Sequence, residues 1–240
     1  DGKIRVFLKK RDFTRIAVEI LMRQLLLDLL PANPPTLDNF VPGGNGEALT
    51  GFTAWLAGGA AQFSLCLWGE AGSGKSHLLA ASGFERIDAA LDPGFSAAPE
   101  TGEIAVDNVD CLNPEGQIAL FNSFNRLKAN GGRLLVTAPQ PPHHLDLRED
   151  LRTRLGSGLI FRLHALSDAE KSAALAAQAK ERAMKLPPEG LDYLLRHAPR
   201  DMRSLSALIV ALDRYTLEQK RAITLPLLRE VLAQTTETTA

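Results

Sequence analysis

The sequence has few cysteines, no long hydrophobic run and no excess of one charge. Its 240 residues include only two cysteines, Cys66 and Cys111, so neither a disulfide framework nor a zinc spacing can be read from it. No run approaches the ~18 apolar residues of a membrane span. The 27 basic residues nearly balance the 28 acidic ones, which argues against a broadly basic nucleic-acid coat. With 45% apolar residues the chain can build a core, and we expect a cytoplasmic protein without membrane contact.

The chain divides by composition into four predicted segments. Residues 1–21 carry six basic and three acidic side chains. We interpret them as an added or upstream extension without ordered structure, with a basic tail as the alternative. Residues 22–35 are predicted to form a peptide and a proline-rich linker. The other two segments are 36–165, which alternates strands and helices, and 166–240, which is helical.

The apolar patterns predict an α/β domain, with a parallel sheet flanked by helices, and a small all-helical domain after it. Predicted strands cover 62–68, 104–106, 133–137 and 159–163, with room for a brief strand within 84–92. Predicted helices cover 114–129, 146–155, 167–185, a segment up to about 197, 201–220 and 224–233. Residues 31–46 contain four prolines and three glycines and are predicted to be a loop.

The strongest motif is a phosphate-binding loop, Gly-Glu-Ala-Gly-Ser-Gly-Lys-Ser over 69–76, between a predicted strand and a predicted helix. Gly69, Gly72 and Gly74 let backbone N–H groups turn inward around phosphates, at the positive end of the helix that follows. Lys75 would reach the β- and γ-phosphates, and the Ser76 hydroxyl can ligate Mg²⁺. We therefore expect bound ADP or ATP with Mg²⁺; a glycine-rich turn without a ligand is the alternative.

A second acidic residue, Asp107, ends the predicted strand 104–106 and lies 32 residues beyond Lys75. It would hold Mg²⁺ together with Ser76, directly or through water. The alternative is an aspartate that caps the next turn. The following residue is Asn108, whose amide cannot accept a proton from an attacking water. We therefore expect a P-loop NTPase with weak intrinsic hydrolysis.

Together these motifs resemble the AAA+ nucleotide-binding module of DnaA-type proteins. Residues 36–41 resemble the segment that leads into that module, and 134–137 with the two prolines at 141 and 142 resemble its sensor-1 strand and loop. The resemblance spans 22 to about 235 and is closest to the DnaA-related regulators that inactivate the initiator. The interval between the two nucleotide motifs is short for this family, so we expect a sheet trimmed on that side.

The resemblance also implies roles for residues outside the phosphate loop. Thr137 would act in catalysis at the sensor-1 position. Val41 and His77 would contact the nucleotide from the α/β domain, and Arg203 would contact it from the lid as sensor 2. An ordinary arginine at a helix start is the alternative for Arg203.

Residues 24–29, Gln-Leu-Leu-Leu-Asp-Leu, resemble the peptide by which such proteins dock on the replicative sliding clamp, the β subunit of DNA polymerase III. In an extended segment, Gln24 would occupy a polar site. Leu25, Leu27 and Leu29 would fill an apolar pocket. Packing of this run on its own domain is the alternative.

Arg154 lies where this family carries its arginine finger. A guanidinium at the domain edge can reach a nucleotide bound to a neighbouring subunit, where it is worth on the order of 10³–10⁵ in rate. Arg152 could take or share this role. The alternative is a solvated helix face in which these arginines pair with Glu149 and Asp150.

The resemblance implies a negative regulator of replication initiation that is nucleotide-bound and tethered to the clamp. It would stimulate hydrolysis of the ATP bound to the initiator DnaA through Arg154, and would reach DNA through the clamp. The alternative is an autonomous AAA+ ATPase acting as helicase loader or DNA remodeller, which could form a homo-oligomer. An initiator is disfavoured because we expect no helix-turn-helix domain after the lid, and a metabolic P-loop kinase is disfavoured by the all-helical C-terminal part.

Overall fold

The computed structural model describes residues 34–96, 99, 101–199, 201–219, 223–226 and 228–229. They form two compact units, one of residues 34–167 and one of the described residues from 168 onward. The predicted extension over 1–21 and the predicted clamp peptide over 24–29 lie outside the described residues. Among the described helices, none is both long and apolar enough to cross a membrane.

A parallel sheet forms the centre of the first unit. Its strands are β1 (Ser64–Gly69), β2 (Glu85–Asp88), β3 (Glu103–Asp107), β4 (Arg133–Ala138) and β5 (Leu159–Leu163). They lie in the order β2-β3-β4-β1-β5, and all four pairings are parallel. Strands β1 and β4 are almost fully buried. Their continuous apolar sequences are typical of strands that are covered on both faces of the sheet. The predicted parallel sheet is confirmed, and the brief strand predicted within 84–92 is β2.

We expected a sheet trimmed on this side, but its edge strand is present, and what is short is the connection between β2 and β3. β2 has four residues and pairs with β3, so the sheet keeps five strands. The described residues between β2 and β3 form turns, with no helix among them.

Helices cover the sheet of the first unit: α1 (Gly46–Leu56), α2 (Lys75–Ala81), α3 (Pro114–Ala129) and α4 (Glu149–Gly156). α3 matches its predicted bounds because Asn113 caps it, with Oδ1 accepting the Gly116 N–H at 2.8 Å, and Pro114 occupies the first turn. α4 begins later than the predicted residue 146. Leu145 and Leu147 are buried in the bend before it, and the side-chain oxygen of Gln117 accepts the Arg148 N–H at 2.9 Å.

The sequence did not predict α1, which is essential to the core. Phe52 and Trp55 are buried on its inner face, and the Trp55 indole donates to the Gln62 carbonyl at 2.7 Å. Gly51 lets the helix approach β5, because a Cβ there would lie 2.3 Å from the Phe161 ring.

The second unit is helical, as predicted, and has its own core. Its described helices are α5 (Asp168–Glu181), α6 (Pro188–His197) and α7 (Met202–Gln219). Buried residues of this core include Leu175, Leu194 and Ile209. α5 ends before the predicted residue 185, since Ala183 adopts φ +54° and the Met184 N–H bonds back to the Ala179 carbonyl at 2.9 Å. Of the helix predicted over 224–233, residues 225, 226, 228 and 229 are described and helical, whereas 227 and 230–233 lie outside the described residues.

Candidate functional site

The phosphate-binding sequence forms the turn from β1 into α2. Gly69, Gly72 and Gly74 have φ values of +155°, +76° and +95°, and Gly74 immediately precedes α2. Only glycine adopts the last two conformations without strain. The Ser73 hydroxyl is buried in this turn, and no described group forms a hydrogen bond with it. An unsatisfied buried hydroxyl and a glycine-lined turn fit a loop that closes around a polar ligand.

Lys75 folds back over the loop. Its ammonium donates to the Gly69 carbonyl at 2.7 Å and to the Glu70 carbonyl at 2.9 Å. Burial lowers the pKa of Lys75, and the charges of Asp107 and Asp110 act in the opposite direction. Two neutral carbonyl oxygens are weak partners for a half-buried ammonium, so phosphate oxygens are the ligands that this side chain can bind more strongly.

Asp107 and Thr137 meet at the carboxyl ends of β3 and β4. Both side chains are buried, and the Thr137 hydroxyl donates to Asp107 Oδ1. The same hydroxyl accepts the backbone N–H of Asn108 at 3.0 Å. The structure therefore brings together the two strand-end residues for which the sequence predicted a role with the nucleotide.

Arg86 and Asp88, on the short strand β2, join this cluster and were missed by the sequence analysis. Arg86 Nη2 donates to Asp107 Oδ2 at 2.9 Å and lies 3.7 Å from Asp88 Oδ2. The Asn108 amide donates to Asp88 Oδ1 at 2.9 Å. Parallel pairing sets Asp88 opposite Asp107, and Arg86 lies two residues earlier on the same face of β2. Both residues lie in the strand predicted within 84–92, but their role becomes visible only once the pairing of that strand with β3 is known.

The donor set fits a divalent cation only in part. The Ser76 residue is exposed at the start of α2, next to Lys75, and its hydroxyl offers an oxygen ligand. Asp107 already accepts hydrogen bonds on both carboxylate oxygens and is paired with Arg86. The described side chains include no group of three or more His, Cys, Asp or Glu residues suited to a metal ion. A cation here would therefore depend on the oxygens of the nucleotide itself.

The segment before the first helix packs against the phosphate loop. Thr36 and Asn39 bond each other through side chain and backbone, at 2.9 and 3.2 Å. His77 Nε2 lies 2.9 Å from the Thr36 carbonyl, and the Phe40 ring lies 5.4 Å from the His77 ring. His77 thus holds the segment that continues directly into Val41, a half-buried residue. The contacts of Val41 and His77 with a nucleotide stay predictions.

Arg154 lies on α4 over an aromatic surface of α3. Its guanidinium is 5.8 Å from the Phe121 ring centroid and 5.9 Å from that of Phe124. Asp150, which the solvated-face alternative would pair with it, is paired with Arg148 at 2.8 Å. Within the part of the chain that the structure describes, no carboxylate lies within ion-pair distance of Arg154.

The remaining predicted arginines are Arg152 and Arg203. Arg152, also on α4, is half-buried. Arg203 is exposed at the start of α7, in the second unit. Its contact with the nucleotide stays a prediction.

Known proteins are similar to both units. Residues 168–232 match the family model of the Hda lid domain. Domain III of the replication initiation protein DnaA of Thermotoga maritima is 20% identical with a TM-score of 0.65, over 82% of this chain and 95% of that one. AMPPCP-bound DnaA from Aquifex aeolicus is 22% identical with a TM-score of 0.58, over 78% and 69%.

The fold is also shared with a protein of lower sequence identity. The Holliday junction branch migration motor RuvB of Thermotoga maritima is 16% identical with a TM-score of 0.60, over 84% of this chain and 72% of that one. At these identities the structural likeness is one of fold. The chain thus shares the fold of DnaA domain III, and its second unit matches the model of the Hda lid domain.

Proposed function

We propose that this protein is a negative regulator of replication initiation. The match to the Hda lid domain and the DnaA-like fold support this proposal. It binds ADP or ATP at the phosphate loop and acts on the initiator DnaA while tethered to the sliding clamp. Its Arg154 enters the nucleotide site of DnaA and stimulates hydrolysis of the ATP bound there.

The observation that carries this proposal is the state of Arg154. The nearby carboxylate of Asp150 is engaged by Arg148, and the Arg154 guanidinium instead lies over the rings of Phe121 and Phe124. An arginine supported by aromatic rings keeps its charge for a partner and loses little side-chain entropy on binding. Such a guanidinium can neutralise charge that develops on a transferred phosphoryl group in a neighbouring protein, which is worth about 10³–10⁵ in rate.

A second observation favours this regulator over the autonomous ATPase. The side-chain amide of Asn108 donates to Asp88, so this position neither accepts a proton nor faces an attacking water as a free group. A protein whose own hydrolysis is weak can remain nucleotide-bound while it acts on another nucleotide. A helicase loader or DNA remodeller would need turnover at its own site.

At its own site, the protein uses Gly69, Gly72 and Gly74 for the phosphates, with Lys75 as the charged donor and Ser76 as the ligand of Mg²⁺. The cation, when bound, would offset phosphate charge. Asp107 is its second partner predicted from the sequence, although Arg86 already neutralises this carboxylate. Val41, His77 and Arg203 are the further residues predicted to contact the nucleotide.

The tether is the segment 24–29, in which Gln24, Leu25, Leu27 and Leu29 would bind the clamp. Holding the regulator on clamp-bearing DNA raises its effective concentration near DnaA once replication has begun, without any new contact between the two proteins. Inactivation would then follow replication initiation.

The test measures conversion of DnaA-bound ATP to ADP with this protein present and clamp-loaded DNA either added or withheld. We expect strong conversion only with both, and its loss in Arg154→Ala. Arg152→Ala on the same helix is the matched control, and loss there alone would move the finger to Arg152. Gln24→Ala should weaken clamp binding and leave ADP binding intact. ATP consumption by this protein alone on DNA, with no conversion on DnaA, would instead support the loader or remodeller.

A further inference from the structure

Arg86 places a positive charge directly against the acidic residue of the nucleotide site. The Asp107 carboxylate is 1% exposed, whereas the Arg86 side chain is 44% exposed and approaches it from the solvent side. A buried carboxylate requires a charged or hydrogen-bonding partner. Arg86 supplies that partner on Oδ2, and Thr137 bonds Oδ1.

The pairing follows from the register of the sheet edge. Arg86 and Asp88 share one face of β2, and the register sets Arg86 opposite Ala105 and Asp88 opposite Asp107. The small Ala105 leaves room for the arginine to extend along the strand to the carboxylate. The same Arg86 Nη2 lies 3.7 Å from Asp88 Oδ2, and Asp88 accepts a hydrogen bond from the Asn108 amide.

We propose that Arg86 is the built-in counter-ion of Asp107 and makes binding of ADP at the phosphate loop nearly independent of divalent cation. The inference rests on the proposed nucleotide-binding function. A carboxylate that is already neutralised offers a cation little, and a guanidinium beside it repels a second positive charge. ADP carries less phosphate charge than ATP, so it needs a cation less to offset that charge. Lys75 and the loop N–H groups are then the main source of its affinity.

The variant that tests this removes the charge and keeps a hydrogen-bond donor. In Arg86→Gln the Asp107 carboxylate faces the nucleotide phosphates without a counter-ion, so ADP should bind weakly in EDTA and recover with Mg²⁺. We measure the Kd of ADP by calorimetry in EDTA and in excess MgCl₂. The ratio of the two values should lie within about threefold for the unaltered protein and rise to about tenfold or more in Arg86→Gln.

Three further variants separate the ion pair from general effects of a lost arginine. Arg148→Gln is the matched control, because Arg148 is 45% exposed and pairs with Asp150 at 2.8 Å, outside the phosphate loop. This variant should keep the original ratio of the two Kd values. Arg86→Lys keeps the charge and should also keep it. In the double variant Arg86→Gln with Asp107→Asn, the dependence on cation should fall again, because it passes through the Asp107 charge.

The outcomes distinguish this inference from the proposed function. Failure of the unaltered protein to bind ADP under either condition would remove the nucleotide-binding function itself. ADP binding that is tight only with Mg²⁺ in the unaltered protein would keep that function and overturn the role of Arg86. An unchanged ratio in a folded Arg86→Gln would overturn it as well.

Discussion

Replacing Thr137 by valine tests whether its buried hydroxyl stabilises the carboxyl ends of β3 and β4, where Asp107 lies. Valine has nearly the same shape and suits a β-strand, so packing alone predicts little change. The structure predicts otherwise. The hydroxyl donates to Asp107 and accepts the Asn108 N–H at 3.0 Å, and both bonds are lost together.

The cost can be worked out from these two bonds. Removing the donor to a buried carboxylate costs roughly 1.5–3 kcal/mol, and an N–H left without its acceptor costs about 1–3 kcal/mol. The added methyl group returns roughly 1 kcal/mol of apolar burial. Because Arg86 still neutralises Asp107, no charge is left unpaired. We therefore expect a loss of about 1.5–5 kcal/mol in the free energy of unfolding, or about 5–20 °C in Tm.

Urea unfolding followed by tryptophan fluorescence measures this loss. Both tryptophans, Trp55 and Trp68, lie in the unit of residues 34–167, so their signal reports on the α/β unit. Thr137→Ser is the matched control, since it keeps the hydroxyl and deletes one buried methyl group at about 1 kcal/mol. Thr137→Val should be the less stable of the two. The reverse order would show that the position is one of packing, and would refute the hydrogen-bond argument.

Two further predictions concern the phosphate loop and its acidic neighbours. Gly74→Ala should weaken ADP binding at least tenfold more than Gly72→Ala, a difference of about 1.4 kcal/mol. A Cβ at Gly74 would lie 2.7 Å from the Phe40 ring, whereas a Cβ at Gly72 would meet nothing within 4 Å. Calorimetry of ADP binding to the two variants checks this prediction, and equal losses of affinity would contradict it. Asn108→Glu should not raise ATP hydrolysis by itself, because the new carboxylate would face Asp88, and a gain should require Asp88→Asn as well; a faster single variant would show that Asp88 does not restrain position 108.

The parts of the fold and site that the sequence predicted are those written in local patterns. The phosphate loop is one run of eight residues between a strand and a helix, and the strands β1 and β4 are continuous apolar runs. α1 escaped because its two glycines, Gly46 and Gly51, and its threonines weaken any helical signal. What requires Gly51 is Phe161, a residue more than a hundred positions away, and no local pattern contains it.

The network around Asp107 shows why site residues on an edge strand are harder to predict. In the sequence, Arg86 and Asp88 are ordinary charged residues of a short segment, and only the parallel register of β2 against β3 gives them a role. Once paired, they depend on each other. Asp88 accepts a hydrogen bond from the Asn108 amide, and Arg86 is shared by Asp88 and Asp107. Asn108 has φ +55°, a conformation that asparagine tolerates better than most residues do. A change at position 108 towards an acidic residue would add negative charge where Arg86 already serves two carboxylates. The amide at 108 and the arginine at 86 therefore belong to one hydrogen-bonded network, which under the proposed function would favour retention of a nucleotide over its hydrolysis.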